Sequence, residues 1–299
     1  METKHKYRVA IISDMSPENP RNWCNVGTMV CWHGRYDLGD EQPSCDPEEY
    51  TLDLVLENSL DPTGLLDWLS SEHRDVLSVT MEDVRDSIRT RIEDIRKGYY
   101  SQDRFFRDDW PMYREAVAVF NEHDSITEYV HALFVEHYVA LPLYLYDHGG
   151  ITMNCGGFSC PWDSGQVGYI YTSRDKAREE WGTSPKPDEM TDEEFWERRL
   201  RQEVKTYSQY LEGDVYGYVL EKARSYTQTT RFEDGEVEEG EGLEWEVVDS
   251  CWGFFGYDPA ENGMGGHVAD VVLQAMVRAD VSYGDGEPTW EYFETEEEL

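Results

Sequence analysis

The sequence predicts an α+β protein, with a mostly antiparallel sheet packed with several amphipathic helices. Three observations lead there. β-favouring runs recur along the chain, some in pairs joined by turn residues. Between them lie segments with apolar residues at helical spacing, several opened by a Ser or Thr cap. Strands and helices interleave irregularly, without an internal repeat.

The elements follow in order. The apolar run 8–13 reads as a strand, and 27–33 as a second one after a Pro-bearing loop. Residues 52–56 start a strand or helix. The stretch 81–97 carries Val84, Ile88, Ile92 and Ile95 at helical spacing and stops at Gly98. A helix over 110–120 follows, then one opened by the capping-box pattern Ser125 to Glu128 and ended by Pro142. Residues 143–146 and 151–154 form a hairpin around Asp147-His148-Gly149-Gly150. A strand at 166–171 leads into a helix capped by Ser173 and ending at Trp181.

Residues 182–189 form a linker. A long helix over 191–211 opens on Thr191 and Glu194, with Phe195, Trp196, Leu200, Val204 and Tyr207 as its apolar stripe. Strands at 214–221 and 243–251 pair around an acidic tip at 233–241, and a last helix spans 266–279. The acidic tail 294–298 reads as frayed. A single domain over 1–299 is expected, with 182–190 the one credible subdomain break.

Charge is the dominant compositional feature. Of 299 residues, 63 are Asp or Glu and 26 are Lys or Arg, for a formal net charge of -37. Forty aromatic residues spread along the chain supply a core, so the charge does not imply disorder. Such a charge repels nucleic acid and anionic membrane surfaces, so direct binding to either is not expected. No stretch approaches the ~20 apolar residues of a membrane helix. Residues 1–10 lack an apolar secretory segment, so the six cysteines read as reduced thiols and the location as cytoplasmic.

Three causes of the acidity compete. Carboxylates keep a protein hydrated in concentrated salt, they imitate nucleic-acid phosphates, and they confer solubility. Arg outnumbers Lys 19 to 7, and low Lys with high Asp and Glu resembles proteins of salt-loving archaea and their viruses.

Less acidic blocks stand out against this background. They are GTMVCWHGRYDLGD (27–40), LPLYLYDHGG (141–150), FSCPWDSGQVGYIY (158–171), GDVYGYV (213–219) and DSCWGFFG (249–256). Together they resemble an uncharacterised family carried by phages and other mobile elements. The resemblance implies a viral or mobile-element accessory protein and transfers no activity or catalytic residue.

Two chemistries are open to the blocks themselves. Cys155 or Cys160 could act as a thiol nucleophile, with His148 as base and Asp147 or Asp163 orienting it. Against this, Cys160-Pro161-Trp162 and His148 also suit tight turns. Cys31 and His33 would point to one face of a strand and permit joint metal ligation. Neither Cys31-x-His33 nor Cys155-x4-Cys160 has a zinc-finger spacing, so no metal is expected. No phosphate loop or dinucleotide fingerprint is present, so no cofactor is expected either.

The reading that results is a non-enzymatic accessory protein of a host cell's virus or mobile element. It would act on a host or viral protein partner, as an acidic mimic that inhibits a defence or nucleic-acid-handling enzyme. Its candidate interaction residues are Trp32, Arg35, Tyr36, Asp37, Trp162 and Trp252. The alternative is a Cys/His-dependent hydrolase or transferase built on residues 147–163.

Overall fold

The computed structural model describes residues 4–47, 50, 51, 54, 90, 93–101, 134–231, 237–284 and 286–299. Two sheets, each with its own core, organise these residues. The first sheet is built on β1 (His5–Ser13), which pairs antiparallel with β6 (Val215–Arg231). β6 pairs in turn with β7 (Val237–Phe255). The other edge of β1 is shared end to end by β8 (Val281–Ser282), parallel, and β9 (Glu291–Thr295), antiparallel.

Alternation along β1 sends Tyr7, Val9 and Ile11 to one face, where they meet Tyr216, Tyr218 and Leu220 of β6. The short helix α3 (Asp270–Met276) closes this core with Val272, Ala275 and Met276.

The second sheet has the order β2-β5-β3-β4, all antiparallel. Its strands are β2 (Thr28–Cys31), β3 (Tyr138–Asp147), β4 (Ile151–Asn154) and β5 (Ser164–Ser173). Val139, Leu141, Leu143 and Leu145 of β3 face the core with Met29 and Ile170. Against them packs α2 (Asp192–Glu212) through Phe195, Trp196, Leu200, Val204 and Tyr207, the stripe read from the sequence.

The two capping signals that fall within the described residues hold. Ser173 Oγ accepts from the Lys176 N–H at the start of α1 (Arg174–Trp181), at 3.2 Å. At α2, Thr191 Oγ1 accepts from the Glu194 N–H at 3.2 Å, and Glu194 returns the bond to the Thr191 N–H at 2.8 Å. The linker 182–190 joins two helices whose buried side chains, Ala177 and Trp181 on one and Phe195 and Trp196 on the other, share one core. The chain passes from the second core to the first at Gly213, in the left-handed conformation that ends α2.

Four local expectations are corrected. Pro142 does not end a helix; it lies within β3, paired with Tyr169. β4 reaches only Tyr144 to Asp147, so among the described residues β3 is an edge at Pro142, where a residue without an N–H is tolerated. The acidic stretch after 237 is not a loose tip but continues the ladder as far as Arg231↔Val237. Tyr226, Thr227 and Thr229 supply the β-favouring partner strand.

The final helix is seven residues, preceded by a 3-10 turn at Met264–Gly266. The tail is pinned by β9. Glu298 pairs with Lys222 at 2.7 Å, and the Leu299 N–H donates to the Tyr7 hydroxyl at 2.9 Å. Of the expected 81–97 helix, 93–96 are helical, Lys97 enters the turn at Gly98, and the rest is outside the described residues except Thr90, also helical. The expected element at 52–56 lies outside them too except Leu54, as do the helix at 110–120 and residues 125–133 of the helix expected to run to Pro142, of which 134–137 are helical.

Candidate functional site

Most of the predicted chemistry gathers at one end of the second sheet. The turn between β3 and β4 is closed by the His148 N–H on the Gly150 carbonyl at 3.1 Å. The following loop returns to start β5, and the Asp147 N–H donates to the Asp163 carbonyl at 2.9 Å. This pairing places His148 beside Asp163, with Nδ1 3.4 Å from Oδ2. The Cys160 thiol donates to the same Asp163 oxygen at 3.5 Å.

The order of these groups decides their chemistry. A thiol-activating relay needs the imidazole between sulfur and carboxylate. Here the carboxylate lies between thiol and imidazole. The nucleophile in such chemistry is the thiolate, and a neighbouring carboxylate does not favour that anion as an imidazolium would. Asp147 is engaged elsewhere: Arg35 Nη1 reaches it at 2.8 Å and the Tyr36 hydroxyl at 3.2 Å. His33 stacks on Tyr36 with centroids 5.1 Å apart, and its Nδ1 accepts from the Tyr36 N–H at 3.1 Å.

The remaining candidates are set apart from this cluster. Cys155 packs half-buried against the second core, and burial pushes its thiol above the ordinary value. Cys31 is fully buried in β2; burial first, then the charge of Asp40, push its thiol to about 12. β2 ends at Cys31, so strand alternation does not carry on to His33. Among the described residues, no three His, Cys, Asp or Glu side chains converge in a way that could hold a metal ion.

Trp32 is an anchor: its indole N–H donates to the Cys45 carbonyl at 2.7 Å and its ring packs on Tyr50 and Tyr169. Asp37 is exposed, and Trp162 is 92% exposed beside the cluster. Trp252 belongs to the first sheet.

Two arrangements escaped the sequence reading. The first is an ion network around a buried arginine. Arg21, 4% exposed at its side chain, bonds Asp40 at 2.5 Å, Glu203 at 3.0 Å and the Gly27 carbonyl at 2.7 Å. Glu203 also accepts from the N–H groups of Val26 and Gly27 at 3.2 Å, and Asp40 from that of Met29 at 2.7 Å. The network fastens the 20–29 segment and Asp40 to α2. An Arg after Pro20 in a loop gives no sequence signal for it.

The second is an arm. β1 stops pairing with β6 at Lys222, yet β6 and β7 continue as a two-stranded ribbon from Ala223↔Trp245 outward. One face of the ribbon is closed by an Arg224–Glu246 ion pair and by the Tyr226 ring lying over Gly242. The other carries Leu243, Trp245 and Val247 in alternation, with Trp245 against Arg8 at 4.5 Å and Tyr292 at 5.6 Å. Leu243 and Val247 are 52% and 55% exposed, and Trp252, over Gly217, is 47% exposed.

The fold and these sites define an α+β protein with a partly exposed thiol–carboxylate–imidazole cluster on one sheet and an open ribbon on the other. No protein-family model, curated protein or solved structure matches the chain. Among the described residues, no helix is long and apolar enough to cross a membrane.

Proposed function

We propose that the chain is a non-enzymatic accessory protein of a virus or mobile element, acting in the host cytoplasm by binding a protein with a basic, nucleic-acid-handling surface. One observation carries this reading. The β6–β7 arm runs on past its last strand pairing with β1 and presents exposed Glu239, Glu241 and Glu244 beside exposed Leu243 and Val247. A partner that recognises phosphates would meet carboxylates in extended array and an apolar anchor between them. The net charge of -37 steers such a partner in and disfavours nucleic acid itself.

The test is capture of binding proteins from host lysate, followed by competition with duplex DNA. Retained proteins that bind nucleic acid and are released by the duplex support the reading; the absence of any such protein sinks it. Carboxylates also occur on both sheets and all three labelled helices, which suits salt adaptation as a general cause of the acidity.

The alternative is a Cys/His-dependent hydrolase or transferase, favoured by the convergence of Cys160 and His148 on Asp163. It needs the imidazole to move next to the thiol, and it predicts an activity lost in both Cys160→Ala and His148→Ala.

A further inference from the structure

The geometry points to the free edge of β7 as a docking strand for an extended, basic, β-forming segment of a partner protein, added alongside residues 239–247. This deepens the proposed function and rests on it for the partner's class.

Three observations converge on this edge. β7 is the terminal strand of its sheet, and among the described residues no strand pairs with its outer edge. Its outward N–H and C=O groups form a template that another strand can complete. Side chains beside that edge are not uniformly charged, as they would be if it were only guarded against self-association. Leu243, Trp245 and Val247 alternate on one face, and Leu243 and Val247 are exposed there. They offer contact to alternate apolar side chains of an added strand.

Charge then selects the occupant. Glu239 and Glu241 precede the apolar stripe on the same face, while Glu244 and Glu246 lie on the opposite one. Glu246 is neutralised by Arg224, whereas among the described residues no ion pair holds Glu239, Glu241 or Glu244. A second copy of this chain would bring another net charge of -37 against the same acidic edge, and that like charge disfavours it. A strand that sets Val, Ile or Thr beside the apolar stripe, with Lys or Arg on its opposite face beside Glu244 and at its end beside Glu239 and Glu241, satisfies both the stripe and the carboxylates.

The full chain is titrated with a labelled peptide of alternating lysine and valine. The comparisons are a copy N-methylated at alternate residues and a scrambled peptide of identical composition. Leu243→Ser/Val247→Ser, two exposed positions, is the protein variant, with circular dichroism and melting to verify its fold. The expected result is binding by the alternating peptide that falls at least roughly ten-fold on N-methylation, on scrambling and in the double variant. Equal binding of alternating and scrambled peptides means diffuse charge attraction alone and overturns the inference. So does concentration-dependent dimerisation of the wild type that the double variant abolishes, which would make a second copy the occupant. No binding overturns it as well.

The two readings fail separately. Host proteins captured equally by wild type and double variant leave the proposed function standing without this edge. Peptide binding with no host partner leaves the edge standing without that function.

Discussion

The guanidinium of Arg21 meets the carboxylate of Glu203 at 3.0 Å, across 182 residues of sequence, in a site where Arg21 is 4% exposed. Burying a charge is tolerable when its partners are present, and removing one partner strands the others. Arg21→Met is expected to cost about 3 kcal/mol of stability, by leaving Asp40 and Glu203 without their cation. The exposed Arg178, paired with Asp175, is the control, and Arg178→Met is expected to change stability by less than ~0.5 kcal/mol. Urea unfolding of the two variants checks this, and similar losses in both would refute the keystone role.

Alkaline pH should weaken the fold. The Cys31 thiol is raised from 9.0 to about 12, chiefly by burial, and Tyr50, Tyr169, Tyr216 and Tyr218 are raised for the same leading reason. Above pH about 9 the unfolded chain loses a thiol proton that the folded chain keeps, so this stability is complete below that pH and lost as pH rises toward about 12. The limiting slope from one such group is ~1.4 kcal/mol per pH unit. Unfolding midpoints at pH ~8 and ~10 should therefore diverge less in Cys31→Ala than in the wild type. Equal divergence would remove Cys31 as a cause.

Cys160 tests the enzyme alternative. Its sulfur donates to Asp163 with no imidazole intervening, while Cys24 is simply exposed. Alkylation by iodoacetamide, followed residue by residue by mass spectrometry, should find Cys160 no faster than Cys24. A rate at least roughly ten-fold above Cys24 would mark an activated thiol and restore the enzymatic reading.

Salt should stabilise the chain. Repulsion among charges summing to -37 opposes compaction, and it is screened as the Debye length falls from ~10 Å at ~0.1 M to ~3 Å at ~1 M. Melting temperature is expected to rise over that range in sodium chloride. An unchanged or falling value would argue against salt adaptation.

Legibility of the fold followed the range of the interactions. The capping box of Thr191 and Glu194 spans three residues and was readable, as was the apolar stripe of α2. The hairpin of β3 and β4 was readable from a turn between two apolar runs. The fate of Pro142 was not, because a proline reads as a helix end until one knows that β4 stops short of that part of β3. The tail was misread for a similar reason: its acidic residues look solvated, yet Glu291–Thr295 complete the edge of β1.

The cluster around Asp163 was named residue by residue, and its order was hidden. Whether the imidazole or the carboxylate takes the middle position depends on the register between β3 and β5, which pairs Tyr146 with Ser164 and so places His148 beside Asp163.

The sequence by itself determined the acidity, the α+β class, and the helices and hairpins whose signals lie within a few residues of one another. Only the tertiary structure decided that Cys31 faces a core, that Arg21 joins Asp40 to Glu203, and that β7 ends its sheet with an apolar stripe exposed. Caps and periodicity are local bonds fixed by neighbouring residues. Strand order and burial are set by which distant surfaces leave water together, and many pairings of the same strands satisfy the local rules equally well.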